Sequence, residues 1–252
     1  MKFLRFKKEE KISYGILEEG IIREIKGDIY NNYQISDRNY LLSEVDLLAP
    51  CEPSKIICVG LNYRDHAKEL DMDLPKEPVI FLKPATSIIG PNTKVKYPKI
   101  SQQVDYEAEL AVVVKNQIRE IETAEAGDHI LGYTCFNDIT ARDLQNRDGQ
   151  WTRAKSFDTF APVGPIIETE VNPNDLQVQL FHNGKVKQNS NTKQMIFEVE
   201  YLVSFISQVM TLNPGDIIAT GTPPGVGSVE VGDDLEVKIE GIGSLKNQID
   251  QA

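Results

Sequence analysis

Long hydrophobic runs, basic clusters and paired cysteines are all missing from this sequence, and each absence removes a class of function. The most apolar stretches, Ile56 to Leu61 and Leu110 to Val114 among them, are far too short to span a bilayer, so no membrane partner is expected. The opening residues MKFLRFKKEEK carry charge from the start and contain no continuous apolar segment. They do not read as a secretory signal, and a cytoplasmic protein is expected. Lys and Arg number 27 against 38 Asp and Glu, a formal net charge of −11. No Lys/Arg run offsets that charge, so a phosphate backbone would be repelled and no nucleic-acid partner is expected. Cys51, Cys58 and Cys135 are odd in number and lack C-x-x-C spacing, which leaves neither a disulfide framework nor a zinc knuckle. Reduced, buried thiols are the plain reading. No internal repeat or low-complexity segment is present.

What is present is a chain of 252 residues, long enough to bury a sizeable core without disulfides or a structural metal. Any metal would therefore serve chemistry. The first fifty residues read as a small module: Phe3 to Phe6 and Ser13 to Leu17 as strands, with turns at Glu9-Glu10 and near Glu19-Gly20. Pro50 and Pro53 mark a linker, which divides the chain into an N-terminal domain, 1–50, and a main domain, 51–252. Strands are expected at Lys55 to Gly60, Val79 to Leu82, Val104 to Val114, Ile130 to Asn137, Val163 to Ile167, Leu176 to Asn183, Asp216 to Thr220 and Leu235 to Ile239. Helices are expected at Arg64 to Leu70, where Pro75 and Pro78 stop the pattern, at Ile139 to Asn146 and at Glu198 to Met210. Many short strands and few helices make a β-rich α+β protein rather than a doubly wound array.

The segment Val104 to Val114 has an unusual face. Alternation along a strand puts Tyr106, Ala108, Leu110, Val112 and Val114 on one side, and Asp105, Glu107, Glu109, Ala111 and Val113 on the other. Three carboxylates in a row repel one another, and the apolar residues that follow them imply burial, where an unpaired carboxylate is costly. A divalent cation resolves the conflict, because Mg²⁺ and Mn²⁺ prefer hard carboxylate oxygens. Asp138, opening the Ile139 to Asn146 helix, is a candidate third ligand. Taken singly, E-x-E is common on solvent-facing strands, and Asp138 reads equally as a plain N-cap.

Six segments in order carry a resemblance: Val59–His66 (VGLNYRDH), Phe81–Pro84 (FLKP), Asp105–Leu110 (DYEAEL), Asn137–Gln145 (NDITARDLQ), Ala154–Asp158 (AKSFD) and Gly215–Pro223 (GDIIATGTP). The chain resembles the fumarylacetoacetate hydrolase superfamily, especially its short acylpyruvase, oxaloacetate decarboxylase and hydroxyheptadienedioate isomerase branch. The resemblance implies a distorted β-roll catalytic domain (a mixed β-sandwich), a homodimer, and Mg²⁺ or Mn²⁺ held by Glu107, Glu109 and Asp138. Fumarylacetoacetate hydrolase itself has a fourth acidic ligand shortly before its catalytic histidine, and the stretch Cys58 to Leu61 offers none. That departure points to the short branch.

A 2-oxo acid presents its carboxylate and adjacent carbonyl to a metal as a pair, and the metal stabilises the enolate that develops. Hydrolysis of a 1,3-diketo acid, decarboxylation of a β-keto acid and movement of a double bond all share that event. His66 and Glu69 stand at i and i+3 on the proposed helix, so a carboxylate can orient the imidazole. In the family such a pair serves as the base on a segment that orders over substrate, which makes Arg64 to Lys76 a candidate lid. The resemblance also places Lys155 in the pocket, offsetting the carboxylates. Arg142 and Gln145, at i+4 and i+7 from Asp138, are candidates for the substrate's far end, and Arg142 reads equally as a structural salt-bridge partner. The loop Gly221 to Gly227 lacks the Gly-Lys-Ser/Thr ending of a phosphate loop, and Thr222 is a candidate for binding a substrate carboxylate or oxo group. His129 and His182 are assigned to loop or strand-end positions without chemistry.

Three readings follow. The first is C–C hydrolysis or decarboxylation of a small acylpyruvate- or oxaloacetate-type acid. The second is isomerisation or decarboxylation of longer unsaturated dioates from aromatic catabolism, such as 2-hydroxyhepta-2,4-diene-1,7-dioate or 5-oxopent-3-ene-1,2,5-tricarboxylate. The third is a noncatalytic binding protein that retains the metal site.

Overall fold

The computed structural model describes residues 1–252. The chain opens with an antiparallel meander, β1 (Lys2–Lys8), β2 (Lys11–Glu18), β3 (Ile21–Gly27) and β4 (Tyr33–Leu41), with a short β5 (Asp46–Leu47) returning to β1. The expected turns at Glu9 and Glu19 are there, both residues at positive φ. Then follow β6 (Lys55–Val59), α1 (Arg64–Glu69), β7 (Ile80–Pro84), β8 (Ile88–Ile89) and β9 (Lys94–Tyr97). Helix α1 stops at Glu69, ahead of Pro75, because Asp71 turns to positive φ.

The acidic segment forms two strands, β10 (Val104–Tyr106) and β11 (Ala108–Val114), which belong to different sheets. The continuous strand expected over Val104 to Val114 is thus broken at Glu107, although its alternation holds. Leu110, Val112 and Val114 face one core with Val178, Leu180 and Val237, while Ala111 and Val113 face a second core with Ile56, Val163 and Ile217. Burial on both faces explains the unbroken apolar run after Glu109.

Next come β12 (Ile130–Asn137), β13 (Thr140–Ala141), α2 (Arg142–Asp148), α3 (Thr152–Lys155) and β14 (Ala161–Glu168). The helix expected from Ile139 begins instead at Arg142, because Thr140 and Ala141 are drawn into pairing with Asp105 and Val104. It ends where Gly149 adopts φ 70°, a left-handed cap that suits glycine. The remaining elements are β15 (Gln177–His182), β16 (Lys185–Asn191), α4 (Val199–Val209), β17 (Ile217–Ala219), β18 (Gly227–Val229), β19 (Asp234–Ile239) and β20 (Gly243–Gln251).

A 12-stranded sheet runs β4-β3-β2-β1-β14-β12-β11-β17-β6-β7, with β5 on β1 and β8 on β14. A 5-stranded sheet, β16-β15-β19-β20-β9, packs over β11, β12 and β14, and β13-β10-β18 forms a separate 3-stranded sheet. This β-rich architecture is the sandwich-like roll anticipated above. The meander is continuous with the large sheet, since Lys2 and Phe3 pair with Glu168 and Ile167. No helix is long and apolar enough to cross a membrane.

Candidate metal centre and its pocket

The break between β10 and β11 is where the chemistry-bearing side chains gather. Asn137, at the end of β12, accepts the Glu107 N–H on its Oδ1 at 3.0 Å, and Asp138 N–H donates to the Glu107 carbonyl at 2.8 Å. These two contacts fold the start of the 138–141 segment onto Glu107. Carboxylate oxygens of Glu107, Glu109 and Asp138 come within 4.8 Å of one another, and all three residues are buried. Asp138 is neither in a helix nor its N-cap, so its i+4 and i+7 spacing to Arg142 and Gln145 does not put the three on one helical face. A bend in extended chain brings it into place instead.

Cations already surround the cluster. Lys155 Nζ donates to Glu107 Oε2 at 3.1 Å and to Asp138 Oδ2 at 2.6 Å. Lys83, wholly buried on β7, pairs with the other oxygen of Asp138 and donates to the Ile139 carbonyl at 3.0 Å. In sequence, Lys83 is one residue of the FLKP segment, with nothing to mark it for the site. The only local signal was a lysine flanked by apolar residues on a short strand. Arg142 donates from Nε to Asp105 Oδ2 at 2.8 Å and also pairs with Glu107 and hydrogen-bonds Gln145. All three nitrogens of its guanidinium are therefore engaged by the protein.

Glu109 is the exception. Its one partner is the Gly221 N–H, which donates to Oε2 at 2.9 Å, and no cation pairs with it. Burial pushes its carboxyl well above the ordinary carboxylate range, and the Asp138 and Glu107 charges push the same way. Burial would raise Glu107 too, but the Lys155 and Arg142 charges outweigh it and bring the group down to about 2. Four acids (Asp105, Glu107, Glu109 and Asp138) thus face three cations (Lys83, Arg142 and Lys155). Ionised, Glu109 adds the one negative charge that these cations leave unmatched, and that excess on hard oxygen donors fits Mg²⁺ or Mn²⁺.

A cavity of about 290 Å³ opens onto this cluster, lined by Glu107, Glu109, Lys155, Arg142, Gln145 and Thr222 on its polar side. Leu61, Leu70, Met72, Phe81 and Trp151 form its apolar wall, and His66 lines it from α1. Phe81 meets Trp151 edge to face at 5.2 Å, and the Lys155 ammonium lies 5.0 Å from the Phe81 ring centre. His66 Nδ1 lies 2.8 Å from Glu69 Oε2. A carboxylate accepts, so in the neutral imidazole Nδ1 carries the proton and Nε2 has the lone pair.

Helix α1 is pinned from three directions. Asp65 accepts from Ser190, Arg64 donates to the Met195 carbonyl, and Glu69 Oε1 accepts from Gly225 N–H at 3.0 Å. Just before the helix, Asn62 donates to the Thr220 carbonyl at 2.7 Å. Thr222, expected to offer its hydroxyl to substrate, donates it to the Ala108 carbonyl at 2.9 Å. That proton is committed, and the side chain meets the cavity without it. His129 and His182 do not line the cavity; they contact Asn116 and, at 2.7 Å, Asp233. The three cysteines are free and buried.

Residues 55–250 match the family model described as fumarylacetoacetate (FAA) hydrolase C-terminal, and residues 1–50 match one described as Rv2993c-like, N-terminal. The chain is 54% identical over 238 residues to a protein of Archaeoglobus fulgidus, covering 94% of this chain and 93% of that one. It is 41% identical over 244 residues to the mitochondrial oxaloacetate tautomerase fahd2 of Xenopus laevis, covering 92% and 75% respectively. Among solved structures, 2-hydroxyhepta-2,4-diene-1,7-dioate isomerase from Mycobacterium marinum superposes with a TM-score of 0.94 at 44% identity, covering 100% of this chain and 98% of that one.

Proposed function

This chain is an enzyme of the fumarylacetoacetate hydrolase family, and on that premise we propose that it is a Mg²⁺- or Mn²⁺-dependent catalyst that enolises a small 2-oxo acid of the oxaloacetate type. The observation that carries this reading is the buried triad of Glu107, Glu109 and Asp138, whose two glutamates line the same cavity as His66, the partner of Glu69. A divalent ion bound to the triad would act as a Lewis acid toward the carboxylate and carbonyl of a 2-oxo acid.

The protein's own groups supply the rest. Glu69 holds the His66 Nδ1 proton, so Nε2 is the atom that takes a proton from the carbon beside the carbonyl and returns it. Lys155 pairs with Glu107 and Asp138, and Arg142 pairs with Glu107, which holds these carboxylates in place. Leu61, Met72, Phe81 and Trp151 give the cavity an apolar wall beside the reacting carbon. Gln145, which lines the cavity, remains the candidate for the substrate's far end. Thr222 supports the loop that shapes the pocket.

Enolisation alone interconverts tautomers, the activity named for the Xenopus relative. The same step is the entry to C–C hydrolysis of an acylpyruvate or decarboxylation of oxaloacetate. A second reading, isomerisation of a longer unsaturated dioate, draws on the end-to-end match to the M. marinum structure. Hydrogen exchange at the carbon beside the carbonyl, followed by NMR in D₂O, tests the shared step whatever the product. Exchange accelerated by protein plus Mg²⁺ or Mn²⁺, and lost in His66→Ala, supports the proposal. Equal exchange in chelator-treated protein contradicts it.

A domain boundary near residue 50 belongs to the same reading and is supported by the junction of the two family matches between residues 50 and 55. The homodimer rests on the family resemblance, and sedimentation equilibrium tests it.

A further inference from the structure

The backbone N–H groups at the break between β10 and β11 are taken by side-chain carboxamides. Glu107 N–H donates to Asn137, and Ala108 N–H donates to Gln188 Oε1 at 2.9 Å. Gln188 lies on β16, an edge strand of the other sheet, and is completely buried. Its Nε2 donates to Thr222 Oγ1 at 2.9 Å and to the Pro223 carbonyl at 2.8 Å. Thr222 in turn donates to the Ala108 carbonyl at 2.9 Å, which closes a ring from Ala108 through Gln188 and Thr222 back to Ala108.

That ring grips a loop with two other duties. At one end Gly221 N–H donates to Glu109, the acid without a cation. At the other, Gly225 N–H donates to Glu69, the partner of His66. The loop lies directly on the β16 backbone: Gly225 has φ +95°, and a Cβ there would fall 2.2 Å from the Lys187 carbonyl. Only a neutral amide of this length offers one acceptor and two donors at these positions. A carboxylate would lose both donors and bury a charge, and an apolar side chain would leave Ala108 N–H and the Pro223 carbonyl unpaired.

We propose that Gln188 is a positioning residue that holds loop 221–225 in the one register where Gly221 supports Glu109 while Gly225 supports Glu69. The carboxylate cluster and the orientation of His66 are thereby coupled through a single loop. The inference rests on the assignment of the triad to a metal and of His66 to the base.

Hydrogen-exchange mass spectrometry on the full chain, wild type against Gln188→Met, tests it with and without Mn²⁺. In the wild type, Mn²⁺ slows exchange in residues 64–70 as well as at 221–225. In Gln188→Met without metal, residues 64–70 exchange about fivefold faster, the loss expected for a hydrogen bond of this kind, while β1 to β3 are unchanged. The Mn²⁺ dissociation constant rises about tenfold, as for other partners that support a ligand, and Mn²⁺ no longer protects residues 64–70. The proposal is overturned by wild-type exchange in 64–70, by a rise spread equally over β1 to β3, or by Mn²⁺ binding that leaves 64–70 unprotected in the wild type. If Mn²⁺ does not bind wild-type protein, the metal assignment fails, and the metal-free comparison still decides whether Gln188 holds the loop against α1. Should Gln188→Met not fold, Thr222→Val breaks the same ring: faster exchange confined to 64–70 and 221–225 supports the proposal, and wild-type behaviour overturns it.

Discussion

Glu69 serves two donors at once: Oε2 lies 2.8 Å from His66 Nδ1, and Oε1 accepts the Gly225 N–H at 3.0 Å. The first contact sets the imidazole tautomer, and the second ties α1 to the loop that also supports Glu109. Replacing Glu69 with Gln keeps the size and removes the charge that favours protonation at Nδ1. Turnover of a 2-oxo acid should fall roughly 10- to 100-fold in kcat with KM little changed. Steady-state kinetics checks it, and a raised KM with intact kcat would assign Glu69 to binding instead.

Lys83 is the cation whose loss should be felt in the fold. It is wholly buried against Asp138, and Lys83→Met leaves that carboxylate with Lys155 alone. Removing one member of a buried ion pair costs about 3 kcal/mol, which for a chain of this size lowers Tm by roughly 6–12 °C. Calorimetry of the metal-free protein reads it directly.

Asp216 gives a pH-dependent prediction away from the pocket. It accepts from Ser54 N–H at 2.9 Å, Ser54 Oγ at 2.7 Å and Asn213 N–H at 2.9 Å, and it pairs with Lys55. Burial would raise its carboxyl, but the Lys55 bond and these donors outweigh it and hold the group below its ordinary value. A depressed folded pKa means the stabilisation is present above the unfolded value, about 4, and is lost as pH falls through the lower folded value. Asp216→Asn should therefore be less stable than wild type by about 2 kcal/mol at pH 7, with the gap closing below about pH 4. Urea unfolding at a series of pH values tests the sign, and a gap independent of pH would contradict it.

Much of this architecture is legible in the sequence. The alternation of Glu107 and Glu109 against Leu110 and Val112 located the acidic face, and the Glu9 and Glu19 turns set out the N-terminal meander. The break at Glu107 was not visible, because VDYEAELAVVV alternates without interruption and the pairing partners that divide it, Thr140 and Ser228, lie far along the chain. The same long-range pairing drew Thr140 and Ala141 out of the helix expected there. Lys83 and Gln188 were missed for a related reason. Each is a polar residue on a strand whose partners lie 55 and 80 residues away in Asp138 and Ala108, and nothing in KVKQNSN marks its glutamine as buried. Local pattern reports the faces of an element, whereas polar groups buried by tertiary contact are identified only when the sheets come together.

The enolisation chemistry proposed for this chain depends above all on the triad of Glu107, Glu109 and Asp138 being a divalent-metal site. Chelator-treated protein titrated with Mn²⁺ and followed by the EPR signal of free ion should bind one Mn²⁺ per chain, and Glu109→Gln should weaken that binding by at least about a hundredfold, the upper end of what losing a supporting partner causes. Binding of equal strength in wild type and Glu109→Gln, or no binding in the wild type, would contradict it.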